Sequence, residues 1–257
     1  MGPKARLDNW LIVVPARLES VRLPRKPLQD LAGKPLIVQV CENLAPLAKV
    51  GASIVVATDS TLVQSTCLDA GFKAVMTRTD HISGTDRCNE AAQGFRHSFV
   101  MNVQGDEPFV NLDDLRRLAS AMERLPDVGL ATLAFLSGDR EKFRNPNAVK
   151  VIKDASGYAL YFSRSPIPYD RDAGGSPRME GCGFFWLHLG IYAFRRETLE
   201  RFCALPQGYL ERTEKLEQLR AIEQGWRIYV EPAEHETVGI DTLEDLEAAR
   251  VLYSQIK

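Results

Sequence analysis

Apolar and polar positions follow two rhythms along this chain. In the first half, short runs of aliphatic and β-branched residues recur: Leu11-Ile12-Val13-Val14 inside a segment of about 10–15, then Ser53 to Thr58, Lys73 to Met76 and Phe99 to Val103. Runs of this kind predict strands covered on both faces of a parallel sheet. Helical stretches fall between them. One runs from Leu36 to Ala48 and is opened by Pro35, a second follows Thr58-Asp59 and reaches Ala70, and another spans Leu112 to Leu125. Ser83-Gly84-Thr85-Asp86 reads as a further helix start, with a hydroxyl cap and an acid in the first turn. Alternating strand and helix predicts parallel β-α-β units.

The rhythm changes after Val128. Apolar segments 128–136, 147–152 and 158–163 follow one another with no helix expected between them, and Asp154-Ala155-Ser156-Gly157 has the composition of a hairpin turn. A mixed region with antiparallel pairing is expected there. A strand from Phe184 to Phe194, helices at 196–204 and 213–224, a strand from Arg227 to Val230 and a helix from Leu243 complete the pattern. The glycine-rich stretch Asp170 to Gly183 reads as a mobile loop. The fold class is therefore α/β, a mostly parallel central sheet with a smaller mixed or antiparallel region, in one domain over 1–257.

Composition narrows the partners. Among 257 residues, 32 basic side chains nearly balance 34 acidic ones, which argues against non-specific nucleic-acid binding. No apolar run approaches the roughly 20 residues that span a bilayer, so no membrane insertion is expected. The polar segment Met1 to Asn9 lacks the apolar core of a signal peptide. Five scattered cysteines (Cys41, Cys67, Cys88, Cys182, Cys203) without CxxC spacing read as reduced thiols of a cytoplasmic protein.

Charge is informative locally. Directly after the first strand, Pro15-Ala16-Arg17-Leu18-Glu19-Ser20-Val21-Arg22-Leu23-Pro24-Arg25-Lys26-Pro27-Leu28 cannot continue it, because prolines break the ladder. The loop gathers Arg17, Arg22, Arg25 and Lys26 at the carboxyl end of that strand, where open α/β sheets bind ligands. Arginine forks and a lysine point charge suit phosphate oxygens, and no G-x-x-x-x-G-K-[ST] is present. Asn102-Val103-Gln104-Gly105-Asp106-Glu107-Pro108 ends another apolar run in carboxylates, the donors magnesium takes. Asp241, after Gly239-Ile240, offers a second carboxylate. Glu244 and Asp245 are better read within a capping box opened by Thr242, and Glu107 as structural. Cations for a triphosphate and carboxylates for its metal indicate a nucleotidyltransferase.

These residues also carry a family resemblance. Pro15-Ala16-Arg17, Ser20, Arg22-Leu23-Pro24, Lys26-Pro27-Leu28 and Gly33-Lys34-Pro35 are similar to the opening of the 3-deoxy-D-manno-octulosonate (Kdo) cytidylyltransferases, the CMP-Kdo synthetases. The likeness continues in order through Ala57-Thr58-Asp59, Met76 to His81, Ser83 to Arg87, Asn102 to Pro108 and Asn147 to Val151. It extends through Tyr158 to Arg164, His188 to Tyr192, Leu216 to Arg220 and Gly239 to Thr242, leaving out about the first nine residues and the glycine-rich loop. The resemblance implies a Rossmann-like nucleotide-diphospho-sugar transferase fold and transfer of CMP from CTP to Kdo for lipopolysaccharide biosynthesis, in a homodimer. It further implies a sugar-binding and dimerisation subregion at about 128–225.

Position by position, the resemblance implies CTP contacts at Arg17, Arg22, Lys26, Arg78, Ser83, Gly84 and Gln104. It implies catalytic roles for Asp106, Asp241, Lys26 and Arg17, with Mg2+ on the two aspartates. Sugar contacts fall at Arg164, His188, Tyr192, Glu217 and Gln218, and an ideal strand puts His188 and Tyr192 on one face. Departures from the family pattern cluster on the acceptor side: Leu187 where a basic residue is common, Lys215, and the aromatic-rich Gly183-Phe184-Phe185-Trp186. They leave the acceptor open between Kdo and its 8-amino analogue. Two alternatives stand beside this reading. A CMP-nonulosonate synthetase shares the cationic loop but continues Lys-Asn where this chain has Lys26-Pro27, and a non-catalytic nucleotide-binding regulator would have no need of both carboxylates.

Overall fold

The computed structural model describes residues 6–172, 175 and 185–256, so most of the loop expected at Asp170 to Gly183 lies outside the described residues. The chain forms two compact units, one from the residues up to Leu112 together with those from Thr237 onward, the other Asp113–Glu236. The mixed-sheet region expected at about 128–225 falls within the second unit.

The first unit begins with β1 (Trp10–Ala16), whose residues Trp10 to Val14 are fully buried. A small hairpin of β2 (Asp30–Leu31) and β3 (Lys34–Pro35) precedes α1 (Leu36–Ala48). Next come β4 (Ser53–Thr58), α2 (Thr61–Asp69), β5 (Ala74–Met76), α3 (Gly84–Ala92) and β6 (Phe99–Asn102). Outside the hairpin, the strands of this unit pair in parallel: β6 beside β1, β1 beside β4, β4 beside β5. Two-faced burial explains why β1 and β4 read as continuous apolar runs with no alternation. The β1–β4 register, Leu11↔Ser53 to Ala16↔Thr58, ends both strands at one edge, and the cationic loop leaves from there.

The second unit opens with α4 (Leu112–Arg124), β7 (Leu130–Ser137) and α5 (Arg140–Arg144). The last is a helix where uninterrupted strands were expected. Its local signal is the side chain of Asp139, which accepts hydrogen bonds from the Glu141 and Lys142 amides and so starts a turn in a polar stretch. Strands β8 (Lys150–Lys153) and β9 (Ala159–Ser163) form the hairpin predicted around Asp154 to Gly157. The long strand β10 (Phe185–Arg195) follows, then α6 (Arg196–Ala204), α7 (Tyr209–Glu214), α8 (Leu219–Glu223) and β11 (Ile228–Ala233). The single helix expected at 213–224 is thus two, broken at Lys215, which sits in the left-handed region at φ 54°. In this unit β7 pairs antiparallel with β10 and parallel with β11, and β10 pairs antiparallel with β8. The chain then returns to the first unit and ends in α9 (Leu243–Ile256).

Candidate active site

Arg25 adopts a left-handed conformation (φ 53°) ahead of a short 3-10 turn at Lys26–Leu28. A non-glycine residue held there costs on the order of 1 kcal/mol, which surrounding structure must offset. The turn places the Lys26 ammonium against two carboxylates from distant parts of the sequence. It contacts Asp106 Oδ2 and lies 3.0 Å from Asp241 Oδ1. Burial works to lower the Lys26 pKa, but Asp106 and Asp241 outweigh it and hold it above the ordinary lysine value. Arg22 reaches the other oxygen of Asp241 at 3.0 Å.

Backbone geometry fixes both acids. A Cβ on Gly105 would come within 2.7 Å of the Pro15 carbonyl oxygen, so only glycine lets the Asp106 segment approach the end of β1 this closely. The Ile240 amide donates to the Asp106 carbonyl at 3.0 Å, which brings Asp241 alongside. Asp245 accepts from the Asp241 and Thr242 amides while the Thr242 hydroxyl accepts from the Asp245 amide. The capping box read from the sequence therefore also holds the backbone of Asp241. Burial, with the Asp106 charge next, pushes the Glu107 carboxyl up to about 8, so it stands beside the pair as a neutral acid at pH 7.

These residues line a cleft of about 370 Å³ that also includes Arg17, Glu19 and Gln104. Arg17 donates to the His81 carbonyl. His81 in turn contacts the Glu90 carboxylate through Nε2, and the same carboxylate accepts from the Arg78 amide at 3.1 Å. Arg78 is exposed, with its guanidinium 3.3 Å from Asp80. Ser83 is the N-cap of α3: its hydroxyl accepts from the Asp86 amide at 3.1 Å and donates to the Asp86 carboxylate at 2.8 Å. Gly84 packs beside Pro15 and the Gln104 side chain. Arg17, Arg22, Lys26, Gln104, Asp106 and Asp241 thus share the cleft, whereas Arg78, Ser83 and Gly84 form the segment next to it.

The remaining predicted residues belong to the second unit. His188 is buried, its ring packed against Phe162 (4.9 Å between centroids) and Tyr192 (5.4 Å). Burial pushes its pKa down to about 3, so the imidazole is neutral. Tyr192 donates its hydroxyl to Gln218 Oε1 at 2.9 Å, and burial, then the nearby Glu217 charge, raise the phenol well above its usual range. The Gln218 amide nitrogen is buried without a hydrogen-bond partner among the described residues. Arg164 points elsewhere: its guanidinium donates to the backbone carbonyls of Pro146, Glu214 and Lys215. The buried Lys150 ammonium ties the same corner, donating to the carbonyls of Asn145, Ala148 and Arg164.

Sequence reasoning passed over Glu90, Asp245 as a support for Asp241, and Thr132, which holds His188. Each works through a hydrogen bond closed by the fold. Only Asp245 had a local signal, its capping box.

A parallel sheet with a cationic loop and paired carboxylates at its edge defines a nucleotide-transferring class. Residues 11–231 match the cytidylyltransferase family model, and the chain belongs to that family. Within it, the chain belongs with the 3-deoxy-manno-octulosonate cytidylyltransferases. It is 42% identical to that enzyme of Polynucleobacter asymbioticus over 255 residues, covering 98% of this chain and 97% of the relative. Identity to the Neisseria meningitidis serogroup A enzyme of the same name is 41% over 256 residues, with 97% of this chain and all of the relative covered. A solved CMP:2-keto-3-deoxy-manno-octonic acid synthetase complexed with CTP superposes with a TM-score of 0.88 at 40% identity, covering 96% of this chain and 99% of that one. A Leptospira borgpetersenii cytidylyltransferase shares the fold alone, at TM-score 0.62 and 16% identity over 96% of this chain and 87% of that one. No helix among the described residues is long and apolar enough to cross a membrane.

Proposed function

We propose that this enzyme transfers CMP from CTP to Kdo and releases pyrophosphate, supplying the activated sugar for lipopolysaccharide biosynthesis. The observation that carries the chemistry is the meeting of Asp106 and Asp241 on one ammonium in a cleft walled by Arg17 and Arg22. The family membership supports CTP as the nucleotide and the octulosonate as the acceptor.

The donor set suits magnesium. Two carboxylates face one point that already demands a cation, and no group of three or more His, Cys, Asp or Glu able to hold a metal occurs among the described residues. Mg2+ takes few protein carboxylates and completes its shell with phosphate oxygens and water. Held by Asp106 and Asp241, it would neutralise triphosphate charge and lower the pKa of the attacking hydroxyl. Arg17 and Arg22 bind phosphate oxygens, and Lys26 draws the two carboxylates together at the cleft. The sugar's anomeric oxygen forms a bond to the α-phosphorus, the α–β phosphoanhydride bond breaks, pyrophosphate leaves and the hydroxyl proton passes to water. Positioning and charge stabilisation supply most of the rate.

In the second unit, the orphaned Gln218 amide, Glu217 and the neutral His188 supply a donor and acceptors for sugar hydroxyls. Arg164 is anchored beside these residues by the carbonyls of Pro146, Glu214 and Lys215.

The test is pyrophosphate release with CTP, Mg2+ and either Kdo or its 8-amino analogue. Asp106→Asn and Asp241→Asn should each lower turnover by about two to four orders of magnitude with an unchanged circular dichroism spectrum. Wild-type turnover in either variant refutes the metal assignment, and turnover of a nonulosonate in place of both octulosonates refutes the acceptor.

A further inference from the structure

We propose that Thr132 is a positioning residue of the sugar pocket: its hydroxyl locks His188 as the Nε2–H tautomer and leaves Nδ1 as an acceptor that selects a hydrogen-bond donor on the acid sugar. The inference rests on the reading of the second unit as the sugar-binding part.

The β7–β10 ladder changes register between His188 and Tyr192. Along the β7–β10 ladder His188 faces Ala134, yet Tyr192 faces Thr132, so β10 carries extra residues between His188 and Tyr192. Gly190 takes up the bend at φ 69°. A bulge of this kind re-aims the side chains on either side of it. Here it brings the Thr132 hydroxyl to 2.6 Å from the Ile191 carbonyl oxygen and 2.9 Å from His188 Nε2.

The proton count on Thr132 then decides the histidine. A carbonyl oxygen only accepts, and a hydroxyl carries a single proton. At 2.6 Å that proton must lie between Thr132 and Ile191, because two oxygens with no proton between them would repel. The Thr132 oxygen is left with lone pairs alone to offer His188, so Nε2 carries the hydrogen and donates. A neutral imidazole has one N–H, which makes Nδ1 the acceptor. Burial keeps the ring neutral, so the second nitrogen does not become a donor at working pH. The rings of Phe162 and Tyr192 pack against the imidazole. Nδ1 has no hydrogen-bond partner among the described residues.

A fixed acceptor rewards a hydroxyl or an amino group at the facing sugar position and penalises a group that cannot donate. A sugar missing that donor leaves a buried nitrogen unpaired, and such a loss discriminates more strongly than a missing methylene does. Thr132 thus contributes to specificity without contacting sugar.

The test combines spectroscopy with kinetics. In 15N-histidine-labelled enzyme, with the His188 signals assigned by their loss in His188→Gln, Nε2 should show the protonated pattern and Nδ1 the unprotonated one. Adding Kdo should shift Nδ1. Thr132→Val should raise KM for Kdo about five- to tenfold with KM for CTP unchanged, the size of one lost neutral hydrogen bond, and should mix the two tautomers in the spectrum. Thr132→Ser keeps the hydroxyl and should restore both, which separates loss of the bond from loss of the fold. A protonated Nδ1 in the wild-type spectrum, or an unchanged KM for Kdo in Thr132→Val, overturns the proposal. Wild-type enzyme inert toward Kdo would instead overturn the functional reading and the sugar half of this one, while the nitrogen spectrum still judges the tautomer.

Discussion

Acid should destabilise this protein through His188, and the size of the effect can be worked out. The ring is buried among neutral partners, Thr132, Phe162 and Tyr192, and burial alone depresses its pKa to about 3. An unfolded histidine titrates near 6.5. Between those two values the unfolded chain binds a proton that the folded chain refuses, so stability falls as pH drops from about 6.5. Each pH unit in that window costs about 1.36 kcal/mol. At pH 5 the loss is about 2 kcal/mol, and it depends on the unfolded value alone, since the folded value lies well below. Urea unfolding of wild type and His188→Gln at pH 7, 6 and 5 measures it, because the other titrating groups cancel in the difference. The gap in unfolding free energy between the two proteins should shift by about 2 kcal/mol against wild type on going from pH 7 to 5. Parallel pH profiles would refute the neutral imidazole on which the acceptor role of Nδ1 also relies.

The parallel half of the fold was legible because its strands announce themselves. Leu11 to Val14 and Ser53 to Thr58 are apolar on both faces, and the cap at Ser83 with Asp86 is written in adjacent residues. The second unit was harder to read. The helix α5 is a single turn set by Asp139, and the break at Lys215 comes from a backbone conformation that lysine rarely signals. The bulge at Gly190 likewise leaves only a glycine in the sequence, with no sign of which strand will slip. For the site, the charged residues stand out by type, so Lys26, Asp106 and Asp241 could be named from their strand-end positions. Their support could not. Gly105 against Pro15 and Glu90 under His81 are contacts that only folding closes, while Asp245 under Asp241 had its capping box as a local signal. The carbonyl partners of Arg164, likewise, come from segments that residue type does not announce.

Two further predictions follow from contacts of this kind. Glu211 and Arg220 form a buried bidentate pair, at 2.6 and 2.8 Å, in the second unit. Glu211→Gln should destabilise the protein by about 3–5 kcal/mol, because a buried guanidinium loses its counter-charge, and a thermal melt within error of wild type would exclude that role. The Glu90 carboxylate gathers the segment that receives Arg17, holding the His81 ring and the Arg78 amide at once. Burial opposes its ionisation, but the hydrogen bonds from His81 and Arg78 prevail and keep its pKa below the ordinary glutamate value, so it is a full acceptor at neutral pH. In Glu90→Gln a neutral amide oxygen replaces the charged Oε2 on which both contacts meet, weakening them and loosening the His81 carbonyl that docks Arg17. Arg17 lines the cleft, so the variant should raise KM for CTP several-fold with KM for Kdo and the far-ultraviolet spectrum unchanged. Equal increases in both KM values would mean that Glu90 supports the fold at large and has no particular bearing on the phosphate-binding arginine.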